Sequence, residues 1–210
     1  MKALKKVTGI LLSMSLVCAI MVSLTGCAAA KRLEVSIAGK TVDLDDTIQS
    51  LYDNGLCVCE IMGGEQKQLD DLGTIPGRTY EIESYSIGVP DGENYADYSG
   101  VCVYLYNDSG SEKPISECKI YQMNFLSVDD AVEVTIEGKD IFHMEPQEAY
   151  DACTSMGIDF ASDDKEDIDE FLAGEGHLFS KQGNLSYSMS ASKDGEEVSL
   201  EFEYEEKLNK

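Results

Sequence analysis

The chain has no tryptophan, two histidines, and 16 lysines and arginines against 40 aspartates and glutamates. Each scarcity removes something. Without an indole, the usual platform for stacking on sugar rings is missing. The two histidines, His143 and His177, sit in no HExxH or paired-ligand spacing, and no G-x-S-x-G elbow accompanies them. Neither is read as catalytic. No C-x-x-C occurs; Cys57 and Cys59 are two apart, as on one face of a strand, so no metal site and no cofactor is expected. A net charge of −24 repels phosphate backbones, which excludes nucleic acid as a partner.

What is present begins with an export segment. Lys2, Lys5 and Lys6 precede an apolar run from Val7 to Leu24, and "LTGC" closes it at Leu24–Cys27. A basic start, an apolar stretch and small residues at the end belong to a targeting peptide, not to the fold. The closing tetrapeptide resembles the lipobox of bacterial lipoproteins. That resemblance implies a diacylglyceryl group on Cys27 and removal of residues 1–26. Residues 27–32 would be a lipidated N-terminus and short tether, with Lys31 and Arg32 placed to offset repulsion from anionic lipid. The expected location is the extracytoplasmic face of the cell membrane.

The rest of the chain repeats itself. "EVSIAGK" at 34–40 returns as "EVTIEGK" at 133–139. Each copy places two alternating apolar residues before a Gly-Lys turn. A helical segment ending in Gly follows, at Gly55-Leu56 and Gly157-Ile158. Asp45, Asp46 and Thr47 supply caps for the first helix, and Pro146 suits the first turn of the second. Ser162 is read as the cap of a further helix carrying Ile168, Phe171 and Leu172. Strand patterns follow each copy: 79–87, 101–106 and 118–128 after the first, 185–191 and 198–204 after the second. The sequence therefore predicts an α+β fold of two tandem repeats, each a short hairpin, a helix and an antiparallel meander. Repeat 1 spans 33–130 and repeat 2 spans 131–210. This order resembles surface lipoproteins of anaerobic Gram-positive bacteria and, faintly, the β-lactamase-inhibitory-protein-like α/β repeats.

Few residues stand out as a site. The loop at 88–100 carries Tyr95 and Tyr98 among Gly, Asp and Asn, a candidate surface for a protein partner. Cys102 and Cys118 lie symmetrically about a turn near Gly110 and form a candidate disulfide. The acids from Asp159 to Asp167 lack the Gly and terminal Glu of a calcium loop and read as helix-start charges. The expected function is a lipid-anchored, non-catalytic binding module. The alternatives are an extracytoplasmic hydrolase or an inhibitor of a partner enzyme.

Overall fold

The computed structural model describes residues 32–59, 64–81, 83–92, 94–126, 128, 131–160, 163–194 and 197–206. Residues 1–31, with the expected signal peptide and Cys27, lie outside the described residues, as does Ser162. In chain order the elements are β1 (Val35–Ile37), β2 (Lys40–Val42), α1 (Ile48–Asp53), β3 (Cys57–Cys59), β4 (Gly64–Glu65) and β5 (Thr74–Ile75). Then come β6 (Tyr85–Pro90), β7 (Tyr95–Tyr106), β8 (Lys113–Pro114), β9 (Lys119–Phe125) and β10 (Val134–Ile136). Helices α2 (Pro146–Ser155) and α3 (Lys165–Leu172) lead into β11 (Gly176–Gln182), β12 (Leu185–Asp194) and β13 (Glu197–Glu206).

The strands do not form two separate meanders. One eight-stranded antiparallel sheet runs β11-β12-β13-β9-β7-β6-β3, with β4 paired to β7. The fold is therefore β-rich, and the expected pair of tandem α+β units is corrected. The reason is at the seam. A lone meander leaves a strand edge of unpaired N–H and C=O groups. Here β13 pairs with β9, placing Phe202 opposite Phe125 and Tyr204 opposite Met123. One apolar face thus continues across strands far apart in sequence.

The repeated heptapeptides meet rather than head separate units. β1 and β10 pair antiparallel, with Val35 opposite Ile136, Ser36 opposite Thr135 and Ile37 opposite Val134. Each residue faces a counterpart from the other copy, so a local two-fold passes between Ser36 and Thr135. The flanking bonds obey it: Ala38 N–H donates to Glu133 O at 2.7 Å, and Glu137 N–H to Glu34 O at 2.8 Å. Both turns have two successive positive φ angles, 49° and 72° at Ala38-Gly39 and 50° and 71° at Glu137-Gly138. That is the I′ geometry, whose twist matches a hairpin.

The helices are held by their ends. Thr47 caps α1 in a reciprocal box with Ser50, and Gly55 (φ 81°) and Gly157 (φ 93°) close α1 and α2. Leu56 N–H reaches Leu51 O, and Ile158 N–H reaches Cys153 O, the six-to-one bond of a Schellman ending. For α3 the cap is Asp164, whose side chain accepts from Glu166 and Asp167 N–H. The acids there serve the helix start.

The main core lies on one face of the large sheet, and a smaller cluster of Cys57, Cys59 and Ala96 packs with Tyr52 and Tyr98 at the β3–β6–β7 end. Leu178, Met189, Phe202, Phe125 and Val101 form one continuous buried row. Phe142 stacks on Phe125 at 5.3 Å between centroids, Cys153 of α2 touches Met189, and Leu33 N–H donates to Tyr204 Oη at 3.3 Å. Helix α2, the 142 segment and the chain entering β1 therefore seal this side.

Candidate binding face

The opposite side of the same sheet follows from the register. Tyr104, Gln122, Glu205, Ser186 and Lys181 form one row across β7, β9, β13, β12 and β11. The next row is Cys102, Asn124, Glu203, Ser188 and Phe179, in which Cys102 is buried against Ser86 and Tyr98, and a third holds Glu201, Ser190 and His177. Phe179 is 40% exposed, and the Gln, Asn, Glu203 and Glu205 side chains are half-buried. Beside Phe179 an open groove of about 480 Å³ is lined by Gly157, Asp159, Phe179, Lys181 and Gln182.

Tyrosines gather at the β7–β9 side of this face. Tyr80 lies 4.5 Å from Tyr106 and 4.9 Å from Tyr121, and Tyr104 lies 6.5 Å from Tyr121, centroid to centroid. The position of Tyr121 has a backbone cause. Tyr104 faces Gln122 while Leu105 faces Ile120, so Tyr121 is the extra residue of a β-bulge. A bulge re-aims a side chain out of the alternation. Burial pushes the Tyr121 phenol up to about 12, with the charges of Glu205 and Glu203 adding to it. Burial also raises the Glu203 carboxyl, with Glu205 adding and His177 opposing. Phenols and carboxylates thus share one electrostatic neighbourhood.

The structure places the residues singled out by sequence differently. The 88–100 segment is not a loop, because β6 runs to Pro90 and β7 begins at Tyr95. Tyr95 is 65% exposed at the start of β7. Tyr98 turns inward against Cys57, Cys59 and Ala96, and its hydroxyl lies 3.5 Å from Cys102 Sγ. The two tyrosines therefore do not act as a pair.

Cys102 and Cys118 are not brought together. Cys102 lies opposite Asn124, and both thiols are buried and free. The symmetric turn fails because the connection is organised off-centre by Asn107. This residue is fully buried; its amide donates to Ile75 O (2.8 Å), Pro76 O (3.1 Å) and Ser111 O (2.9 Å), while its Oδ1 accepts from Ser109. A 3-10 turn at Ile115–Glu117 then uses up the residues before β9. "NDSGS" carries the turn chemistry that could have pointed to Asn107.

His143 Nδ1 lies 2.7 Å from Asp140, and His177 stands exposed on the open face. Among the described residues no group of three or more His, Cys, Asp or Glu side chains is arranged to hold a metal. Arg32 is committed within the protein, to Asp45 at 2.7 Å, Asp43 at 3.3 Å and Glu206. Its charge is spent on its own carboxylates and not held in reserve for lipid headgroups. No described helix is long and apolar enough to cross a membrane. No protein family, no curated protein and no solved structure matches this chain.

Proposed function

We propose that this protein is an exported, lipid-anchored, non-catalytic binding module that holds a protein partner on the open face of its large sheet. The observation that carries the reading is the contrast between the two faces. One is sealed by α2 and the chain around Phe142 and Leu33. The other displays a half-buried tyrosine array beside Gln122, Asn124, Glu203 and Glu205. Tyrosine supplies large, rigid contact area at low entropic cost while keeping a polar tip, which suits an interface. The amides and serines beside it offer adaptable hydrogen bonds. The anchor rests on the lipobox at Leu24–Cys27.

Photo-crosslinking in the native membrane tests this. A photoreactive residue at Ser188 or Asn124 is expected to trap a discrete protein adduct. The same residue at Gln49 or Gln147, on the exposed sides of α1 and α2, is expected to give none. Adducts from the helix positions alone, or equally from all four, would overturn the assignment.

A further inference from the structure

We propose that the partner seats a cationic side chain, an arginine or lysine of a basic protein segment, on the tyrosine array with Glu203 and Glu205 as counter-charges. This rests on the open-face reading and names the chemistry of its partner. Three observations converge. First, the rings of Tyr106, Tyr80, Tyr121 and Tyr104 follow one another at 4.5, 4.9 and 6.5 Å. The faces of such rings are negative and attract ammonium or guanidinium groups. Second, the register puts Glu205 two strands from Tyr104 through Gln122, roughly 10 Å at the usual strand spacing. The bulge residue Tyr121 lies 6.5 Å from Tyr104, and the charges of Glu205 and Glu203 both act on its phenol. A guanidinium lying on Tyr121 is then within reach of either carboxylate.

Third, the carboxylates have no lysine or arginine partner among the described residues, and the basic group that acts on Glu203 is the imidazole of His177. Glu205 accepts from Ser186 Oγ at 3.0 Å. Elsewhere the protein pairs its cations closely: Arg32 with Asp43, Asp45 and Glu206, and Lys119 with Asp45 and Asp108. Two like charges two residues apart on β13, beside half-buried aromatic rings, are complemented by a positive group. An acidic or phosphate-bearing partner would meet repulsion from the same pair and from the net charge of −24. Arginine fits best, since its planar group can stack on a ring and fork to a carboxylate at once.

The test uses a capped peptide with three arginines and the same peptide with citrulline, which keeps the shape and removes the charge. At physiological salt, Tyr121→Leu and Glu205→Gln are each expected to weaken arginine-peptide binding by about five- to tenfold, the range of a desolvated cation–π contact or a charge pair. Glu166→Gln and Asp169→Asn, made singly, each remove the same one charge as Glu205→Gln but from exposed α3, and each is expected to change binding less than about twofold. Citrulline is expected to abolish it. Equal loss from the α3 variants, or equal binding of the citrulline peptide, overturns the proposal. If the arginine peptide fails to bind while Ser188 still traps a partner, the cationic chemistry is wrong and the open-face reading stands. If neither occurs, both fall.

Discussion

Ala38 has a positive φ of 49° because the I′ turn at its hairpin demands it, and a side chain with a Cβ is strained there. Asn tolerates this region far better, and Asn-Gly is the preferred pair for the turn. Ala38→Asn is therefore expected to stabilise the fold by about 0.5–1 kcal/mol, read as an upward shift in urea midpoint with an unchanged slope. An unchanged or lower midpoint would count against the turn assignment. The cysteines make a second residue-scale prediction. All five described cysteines are buried and free. Burial pushes the Cys57 thiol up to about 12, with Cys59 adding to it, and burial pushes Cys153 up to about 12 as well. The unfolded chain releases these protons from about pH 9, whereas the folded chain holds them to about pH 12. Stability is thus full below pH 9 and falls as pH rises through that window. Thiol reagents at pH 8 are expected to label these five only in denaturant. Rapid native labelling of Cys57 or Cys153, or stability that stays flat from pH 9 to 12, would contradict this.

At the scale of elements, Asn107 ties three segments together, because its amide spans Ile75, Pro76 and Ser111 carbonyls from a fully buried position. Asn107→Ala leaves the Ile75 and Pro76 carbonyls without their side-chain donor and is expected to cost about 2–3 kcal/mol by denaturant unfolding, against less than about 0.5 for Gln49→Ala on the exposed side of α1. Losses of similar size would place the anchor elsewhere. Some elements were legible in the sequence. The Gly-Lys turns, the glycine helix ends and the final hairpin depend on neighbours within a few residues. The strand at 101–106 was also legible, but which of its residues face the core became clear only from its pairing with β9. What local pattern does not encode is who pairs with whom. The β9–β13 seam and the β1–β10 pairing join residues about a hundred positions or nearly eighty apart. The first turned two expected meanders into one sheet, and the second joined the two repeated heptapeptides in a separate three-stranded sheet with β2. The bulge that presents Tyr121 was hidden for the same reason: it exists only relative to β7. Tyr98 was misread because its segment pairs with β6 as strand β7, which packs Tyr98 against Cys57 and Cys59.

At the scale of the molecule, the protein is acidic, with one sheet face sealed and the other open, and we propose that it is held at a membrane through its N-terminus. The anchor has its own test: Cys27→Ala is expected to abolish incorporation of labelled palmitate and to release the protein from the membrane fraction or block its processing. Retained label and retained membrane association would remove the lipobox reading. The central claim is that binding and folding are served by opposite faces, and one comparison addresses it directly. Partner adducts trapped from Ser188 are measured beside unfolding free energy in Tyr104→Ser and Phe125→Ala. Tyr104→Ser is expected to lose most of the adduct while costing about 1 kcal/mol or less, because its ring is half-buried on the open face. Phe125→Ala, in the sealed core, is expected to cost about 3–5 kcal/mol and to spare the adduct wherever the protein remains folded. An undiminished adduct in Tyr104→Ser, with the protein folded, would contradict the account.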